Sequence, residues 1–286
     1  MTLPQSRILN FDEIPVVDIG SLVSGKPNQS TLDELDRACR DVGFFYVSHH
    51  GMDMALVDNL LRECAQFFNK SMEEKQRIKL DARMRGYLPL EYRSFEGEAN
   101  ASTNHQEGFW IGHELPLTTD DPLAGPNQWL EDGDALKQAM DHYFVSIEMV
   151  ATALMRGFAL ALDLSESTFV EVFQQPNSRL KLNHYPLQEN PTSEFDIGVL
   201  PHADSGGFTV LWQDDSGGLE IQNRDGEWIG APPIPGTFVI NLGKVMQQWT
   251  NGYYSATLHR VVNRSGGDRY SIPLFVNPSS DAVIDT

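Results

Sequence analysis

Cysteine is nearly absent from this chain. Cys39 and Cys64 are the two in 286 residues. Both fall in helical patterns and read as small buried hydrophobes rather than a disulfide, which suits a reducing cytoplasm. Basic residues are also scarce, 21 Lys+Arg against 40 Asp+Glu, for a formal charge of −19. That balance argues against nucleic acid or an anionic membrane as partner, although a local basic anchor can still sit inside an acidic protein. No stretch approaches the ~18 consecutive apolar residues that span a bilayer. The opening residues lack the long apolar core of a signal peptide, so neither secretion nor a membrane span is expected. Internal repeats and low-complexity tracts are missing too, and nothing in the pattern fixes the oligomeric state.

What is present is a sequence able to bury a core. Hydrophobic residues make up 41 % of the chain, and this length suffices for one large domain or for a β core with a helical partner. Ile14-Pro-Val-Val-Asp-Ile19 reads as a short strand. Residues 30–42 read as a helix, with Leu32, Leu35, Cys39 and Val42 at helical spacing. Gly43-Phe-Phe-Tyr-Val-Ser48 is an apolar, β-prone run and reads as a buried strand. A second helix over 53–69 carries Val57, Leu60, Leu61, Cys64 and Phe68 on one side, and Ser71-x-x-Glu74 has the form of a capping box. Residues 82–132, rich in Gly, Pro and Asn, are expected to be irregular. A long helix from about Ala135 to Leu162 presents Leu136, Met140, Tyr143, Ile147, Val150, Leu154 and Phe158 as one core-facing stripe. From Arg179 onward the texture changes to short strands and turns, with Asp225-Gly226 as a hairpin signal between Leu219-Glu-Ile-Gln222 and Glu227-Trp-Ile229. The expectation is a mixed α and β fold of one compact unit. Its parts are a helical and mixed region over 1–130, a long supporting helix and connector over 131–178, and a jelly-roll core over 179–286.

Three pairs of residues two apart carry the chemistry. Alternate residues of a strand share a face, so His202 and Asp204 can chelate one ion, and His259 can complete the set. Two imidazoles and a carboxylate form the facial triad of non-haem Fe(II), which leaves positions open for a cosubstrate and O2. Zinc accepts the same donors, so ligand type alone leaves both metals open. Arg269-x-Ser271 lies on an apparent strand, and a guanidinium fork beside a hydroxyl suits an organic carboxylate. An inward arginine without an anionic partner would be a costly buried charge. Asn183 and Tyr185 make the third pair and can hydrogen-bond the same ligand. The remaining histidines read as structural: His49 and His50 at a turn, His105, His113 and His142 without a partner at ligand spacing, and His184 out of phase with its neighbours and facing away. Phe109, Trp110 and Ile111 serve either as substrate-side walls or as core.

These residues resemble the isopenicillin N synthase-like branch of the Fe(II)/2-oxoglutarate-dependent dioxygenases. The resemblance runs over nearly the whole chain. Ile14-Pro-Val-Val-Asp18 and Gly43-Phe-Phe-Tyr-Val-x-x-His-Gly51 are similar to the family's N-terminal region. Arg85-Gly-Tyr-x-Pro89 and Gly125-Pro-Asn-x-Trp129 are similar to its middle. Leu182-Asn-His-Tyr-Pro186, His202-x-Asp204, Trp249-Thr-Asn-Gly252, Leu258-His-Arg-Val261 and Arg269-x-Ser271 are similar to its core. The resemblance implies a double-stranded β-helix with Fe(II) held by His202, Asp204 and His259. It implies 2-oxoglutarate held at its distal carboxylate by Arg269 and Ser271, with Tyr185 and Asn183 assisting. The implied reaction uses O2, releases succinate and CO2, and oxidises a small organic substrate, with hydroxylation as the first expectation. Two features depart from the family pattern. Lys244 stands in Asn241-Leu-Gly-Lys244 where the family often has Asp. The sequence also ends soon after the Arg-x-Ser strand, where members commonly continue into a segment covering the substrate mouth. The nearest alternative is an oxidase like isopenicillin N synthase, with no 2-oxoglutarate, in which Arg85 could hold a second carboxylate. A metal-free binding protein on the same barrel would be marked by a missing ligand, and none is missing. A zinc hydrolase lacks an evident general base.

Overall fold

A computed structural model describes residues 14–90, 104–117, 121–173, 177–187 and 197–283. Its strands form two sheets, numbered in chain order. The larger runs β1 (Val16–Asp18), β2 (Phe44–Ser48), β10 (Phe238–Leu242), β7 (Phe208–Gln213), β12 (Arg269–Val276), β5 (Arg179–Tyr185), β4 (Glu107–Gly112) and β3 (Gly86–Leu88). The smaller runs β6 (Val199–His202), β11 (His259–Val261), β8 (Leu219–Gln222) and β9 (Trp228–Gly230). β1 pairs with β2 in parallel, and the other pairings are antiparallel. Phe44, Tyr46, Tyr185, Leu211 and Val239 from the large sheet pack with Leu219, Ile221, Ile229 and Val261 from the small one. Side chains from two facing sheets thus close the expected jelly-roll core.

The outer face of the large sheet is covered by helices. These are α1 (Gly20–Val23), α2 (Gln29–Asp41), α3 (Ala55–Phe68), α4 (Met72–Gln76), α5 (Asp134–Ala161) and α6 (Thr168–Val172), with α7 (Lys244–Trp249) following β10. Asn28 caps α2 by accepting the Thr31 N–H at 2.9 Å, and Ser71 with Glu74 forms the full capping box on α4; each satisfies backbone donors that the first turn leaves free. Helix α5 is long and apolar enough to cross a bilayer. Its stripe, Leu136 through Phe158, is instead buried in the core with Leu180, Leu182, Phe208, Val210, Ile272 and Leu274 of the sheet. Cys39 and Cys64 are buried and unbridged in the same layer.

Strand alternation divides β5 between two environments. Leu180 and Leu182 point into the helix-side core. His184 joins them there, its Nδ1 2.8 Å from Oε1 of Glu107, whose Oε2 accepts from Lys75 Nζ at 2.8 Å. The intervening Arg179, Lys181, Asn183 and Tyr185 face the barrel and are all buried.

The stretch over 82–132 is less irregular than its composition implies, because it contains β3 and β4. Residues 91–103 and 118–120 lie outside the described part. Glu107-Gly-Phe-Trp-Ile-Gly112 alternates cleanly. Phe109 and Ile111 enter the helix-side core, so they are not substrate walls, while Trp110 faces the barrel. Gly108 and Gly112 make room rather than turns. A Cβ at Gly108 would lie 2.6 Å from Lys181 Cε, and one at Gly112 would lie 2.6 Å and 2.7 Å from the Nη1 atoms of Arg85 and Arg179. Glycine was legible there, but its reason, close approach by side chains of the next strands, was not.

Phe158 of α5 meets Phe208 of β7 edge-on, centroids 5.3 Å apart, and both are fully buried. Phe158→Ala is expected to lower unfolding free energy by about 3–5 kcal/mol, through lost transfer energy and the cavity left behind. Urea denaturation of the two proteins checks this; a loss below about 1 kcal/mol would show that α5 does not anchor the sheet.

Candidate metal centre and carboxylate anchor

His202, Asp204 and His259 converge as the spacing predicts. Their ligand atoms all lie within 4.8 Å of one another. Oδ1 of Asp204 is 3.5 Å from Nε2 of His202 and 3.8 Å from Nε2 of His259. His202 ends β6 and His259 begins β11, and the two pair directly across the small sheet. Asp204 is not on the strand. It sits in the turn after β6, whose backbone is fixed by Lys244 N–H donating to the Asp204 carbonyl at 2.8 Å. Lys244 serves there through its main chain, and its side chain is exposed.

Each ligand's second polar atom is already occupied. Nδ1 of His202 lies 2.8 Å from the Leu200 carbonyl, and Nδ1 of His259 lies 3.2 Å from that of Thr257. A proton on Nδ1 satisfies those carbonyls and leaves the Nε2 lone pairs for a cation. Oδ2 of Asp204 accepts from Thr209 Oγ1 and from Asn241 Nδ2, the latter at 2.8 Å, leaving Oδ1 free. Two neutral nitrogens and one anionic oxygen at this spacing are a donor set for a divalent first-row metal.

The electrostatics agree. Burial alone would raise the Asp204 pKa, but the His202 hydrogen bond, the charges of His259 and His202 and the Thr209 hydrogen bond hold it well below the usual carboxylate range. Burial would lower His202, yet the hydrogen bond and charge of Asp204 outweigh it and its pKa is raised. Burial depresses His259, with Asp204 opposing. The carboxylate therefore stays ionised and ready to ligate.

The predicted anchor also assembles, on β12 and β5. Ser271 pairs with Asn183 and Arg269 with Tyr185 across the two strands. Asn183 Nδ2 donates to Ser271 Oγ at 3.2 Å, and the Tyr185 hydroxyl is 3.5 Å from the same oxygen. The Arg269 guanidinium stacks on Tyr185 at 4.7 Å, donates through Nε to the Gly217 carbonyl at 2.6 Å, and reaches Gln213 Oε1 at 3.3 Å. Arg269 is completely buried. Its Nη1 and Asn183 Oδ1 have no hydrogen-bond partner among the described residues, and no carboxylate there pairs with Arg269. A buried guanidinium in that state is complete only with an anion.

Arg85 behaves differently. It is fully buried and donates to Asn127 Oδ1 at 2.6 Å and to the carbonyls of His113 and Leu123 at 3.0 and 3.3 Å. His49, His50, His113 and His184 all lie away from the metal cluster, as expected. Sequence reasoning missed Thr209, Asn241 and Gln213, which hold the site residues from neighbouring strands. It also missed Lys181, buried on the barrel face with its ammonium over the Trp110 ring at 5.0 Å. Burial pulls Lys181 down to about 7, with the charge of Asp204 opposing.

The model of the 2OG-Fe(II) oxygenase superfamily matches residues 176–278, and that of the N-terminal region of non-haem dioxygenases in morphine synthesis matches 14–132. A homoarginine-6-hydroxylase of Glycine max is 32% identical over 293 residues, covering 96% of this chain and 88% of its own. A Neurospora crassa protein, crystallised with alpha-KG (2-oxoglutarate) and thymine, is similar at a TM-score of 0.85 and 25% identity, covering 97% of this chain and 90% of its own. The crystal structure of JOX2 with 2OG, Fe and JA is similar at a TM-score of 0.80 and 29% identity, covering 99% and 82%.

Thr209→Val and Asn241→Ala each free Oδ2 of Asp204 and are expected to weaken Mn(II) or Fe(II) binding about 10–100-fold, while Asp204→Ala abolishes it. Proton and metal compete for Nε2 of His202, so wild-type affinity should decline with falling pH, beginning already above about 6.5, the ordinary imidazole value. Anaerobic metal titration checks both. Unchanged affinity in Thr209→Val and Asn241→Ala would mean that the carboxylate needs no such support.

Proposed function

From membership of the 2OG-Fe(II) oxygenase superfamily, to which this chain belongs, we propose roles for the residues just described. The enzyme is an oxidoreductase that requires Fe(II), 2-oxoglutarate and O2, and oxidises a small organic molecule with release of succinate and CO2. In our reading His202, Asp204 and His259 hold the iron. Arg269 and Ser271 hold the distal carboxylate of 2-oxoglutarate, with Asn183 and Tyr185 completing the polar wall. Iron bound at this triad supplies the O2 activation and electron transfer that side chains cannot.

The chain's own residues then do three things. Thr209 and Asn241 keep Oδ1 of Asp204 aimed at the metal position. Gln213, the Gly217 carbonyl and the Tyr185 ring fix the plane of the Arg269 guanidinium, so a carboxylate meets a preorganised fork. Phe44, whose ring lies 5.9 Å from that of His259, belongs to the inter-sheet apolar cluster and limits water beside that histidine.

The observation that carries the reading is the Nη1 of Arg269, fully buried and unpartnered among the described residues. The oxidase alternative is disfavoured by Arg85, which in that reading takes a second carboxylate but here spends both terminal nitrogens on carbonyl groups. The order of motifs supports the isopenicillin N synthase-like branch, and the two unbridged thiols support a reducing cytoplasm. Hydroxylation is the favoured outcome, since the soybean relative carries that activity in its name.

The test is an anaerobic titration of Fe(II) protein with 2-oxoglutarate, read by the weak visible charge-transfer band of a chelated 2-oxo acid. Wild type should develop the band and His202→Ala should not. Arg269→Ala should need about 100-fold more 2-oxoglutarate, the equivalent of a lost charge-assisted pair. Iron-loaded, folded wild type with no band would overturn the 2-oxoglutarate reading in favour of the oxidase.

A further inference from the structure

The barrel face of β5 continues past the anchor. Beyond Asn183 and Tyr185 comes Lys181, buried, with no carboxylate paired to its ammonium among the described residues. Its route is built. Gly108, beside it on β4, carries no side chain, and a Cβ there would come within 2.6 Å of Lys181 Cε. Trp110, the direct cross-strand partner of Lys181, lies beneath the ammonium at 5.0 Å. Trp110 also stacks on Phe275, centroids 5.4 Å apart and planes 20° from parallel. The indole Nε1 is buried and has no acceptor among the described residues.

This cluster faces the metal site. Phe275 pairs across β12 and β7 with Thr209, which bonds Asp204. The Lys181 charge is close enough to be felt by both Asp204 and His202. Arg269 itself pairs with Tyr185 at the C-terminal end of β5, four residues from Lys181, with Asn183 between them on the same face. A buried ammonium and a buried indole N–H converge beside a stacked aromatic pair, and the described residues offer neither an anionic partner for the first nor an acceptor for the second. In a protein of net charge −19, a buried cation with no anionic partner among the described residues costs stability and gains by binding an anion.

We propose that Lys181 and the indole N–H of Trp110 form the subsite for the oxidised substrate, and that this substrate carries a carboxylate received there, its body lying against Trp110 and Phe275. The inference rests on the oxygenase reading above and narrows its substrate class to small carboxylic acids. A point-charge ammonium beside an aromatic wall accepts a carboxylate over a range of angles, whereas the Arg269 fork fixes one. The two anchors thus suit an interchangeable class of acids and a single cosubstrate respectively.

The test uses acid–amide pairs, homoarginine with its carboxamide and phenylacetate with phenylacetamide, titrated anaerobically into the full-length Fe(II)/2-oxoglutarate enzyme by calorimetry. At least one acid should bind wild type about 10-fold or more tighter than its amide, the value of one charge-assisted bond. Lys181→Met should erase that preference, and Lys181→Arg should keep part of it, while the 2-oxoglutarate Kd stays within about twofold in both. Because the lysine is buried with no anionic partner among the described residues, Lys181→Met should also raise Tm by a few degrees. No acid preferred over its amide in wild type, a preference that survives in Lys181→Met, or a lowered Tm in that variant would each overturn the proposal; the last would show the ammonium to be paired within the protein. If wild type fails to bind 2-oxoglutarate, the oxygenase reading falls first and takes this inference with it.

Discussion

The two-residue period of β5 and β12 is the constraint on which the rest depends. One face of β5 must be apolar because helices cover it, and Leu180 and Leu182 meet that demand. The other face is thereby released from packing duty and can carry Arg179, Lys181, Asn183 and Tyr185 into the barrel. β12 repeats the pattern, with Ile272 and Leu274 against the helices and Arg269 and Ser271 opposite. A slip of one residue in either strand would put guanidinium and ammonium groups into the helix-side core and leucines at the site. Register therefore secures fold and chemistry together, and α5 matters to function because it enforces that register from outside.

Charge is distributed against the protein's overall sign. The chain is strongly acidic, yet its barrel is lined by cations. Those not needed for a ligand are tied to backbone: Arg85 and Arg179 both donate to the Leu123 carbonyl. Arg179 is depressed to about 10 by burial and by the neighbouring Arg85 charge. Arg269 also donates to the Gly217 carbonyl, yet its Nη1 has no partner among the described residues, and no carboxylate there pairs with Lys181. Anionic or carbonyl acceptors around each group, and not residue type, thus set these cations apart.

The sequence made visible whatever depends on local periodicity. The proposed metal pair His202 and Asp204, the proposed anchor at Arg269 and Ser271, and the stripe of α5 were picked out by spacings of two or by helical spacing. The Asp225-Gly226 hairpin between β8 and β9 also formed as expected. What stayed hidden depends on which strand lies next to which. Asn241 reaches Asp204 from β10, far along the chain, and Thr209 reaches it from the adjacent strand β7 only because the intervening turn folds back. Gly108 and Gly112 looked like loop residues because the side chains filling their space come from β5 and from Arg85. Phe109 and Ile111 looked like candidate walls until pairing with β5 showed which face they share. Asp204 kept its role although its backbone left the strand, since a side chain held by two neighbours does not need strand geometry.

The triad and the carboxylate anchor are mounted on different sheets. His202 and His259 stand on the small sheet, and Arg269, Ser271, Asn183 and Tyr185 on the large one, with Asp204 tied across to β7 and β10. On the proposed assignment, a 2-oxo diacid gripped at both ends acts as a rivet through the two walls of the barrel. Its length becomes a gauge of their separation. A monoacid such as pyruvate, with one grip, would fill the metal end without riveting anything. The cosubstrate would then be a structural member of the folded enzyme, and the succinate left after turnover, still a diacid, would keep a carboxylate at each wall but with a weaker grip at the metal end.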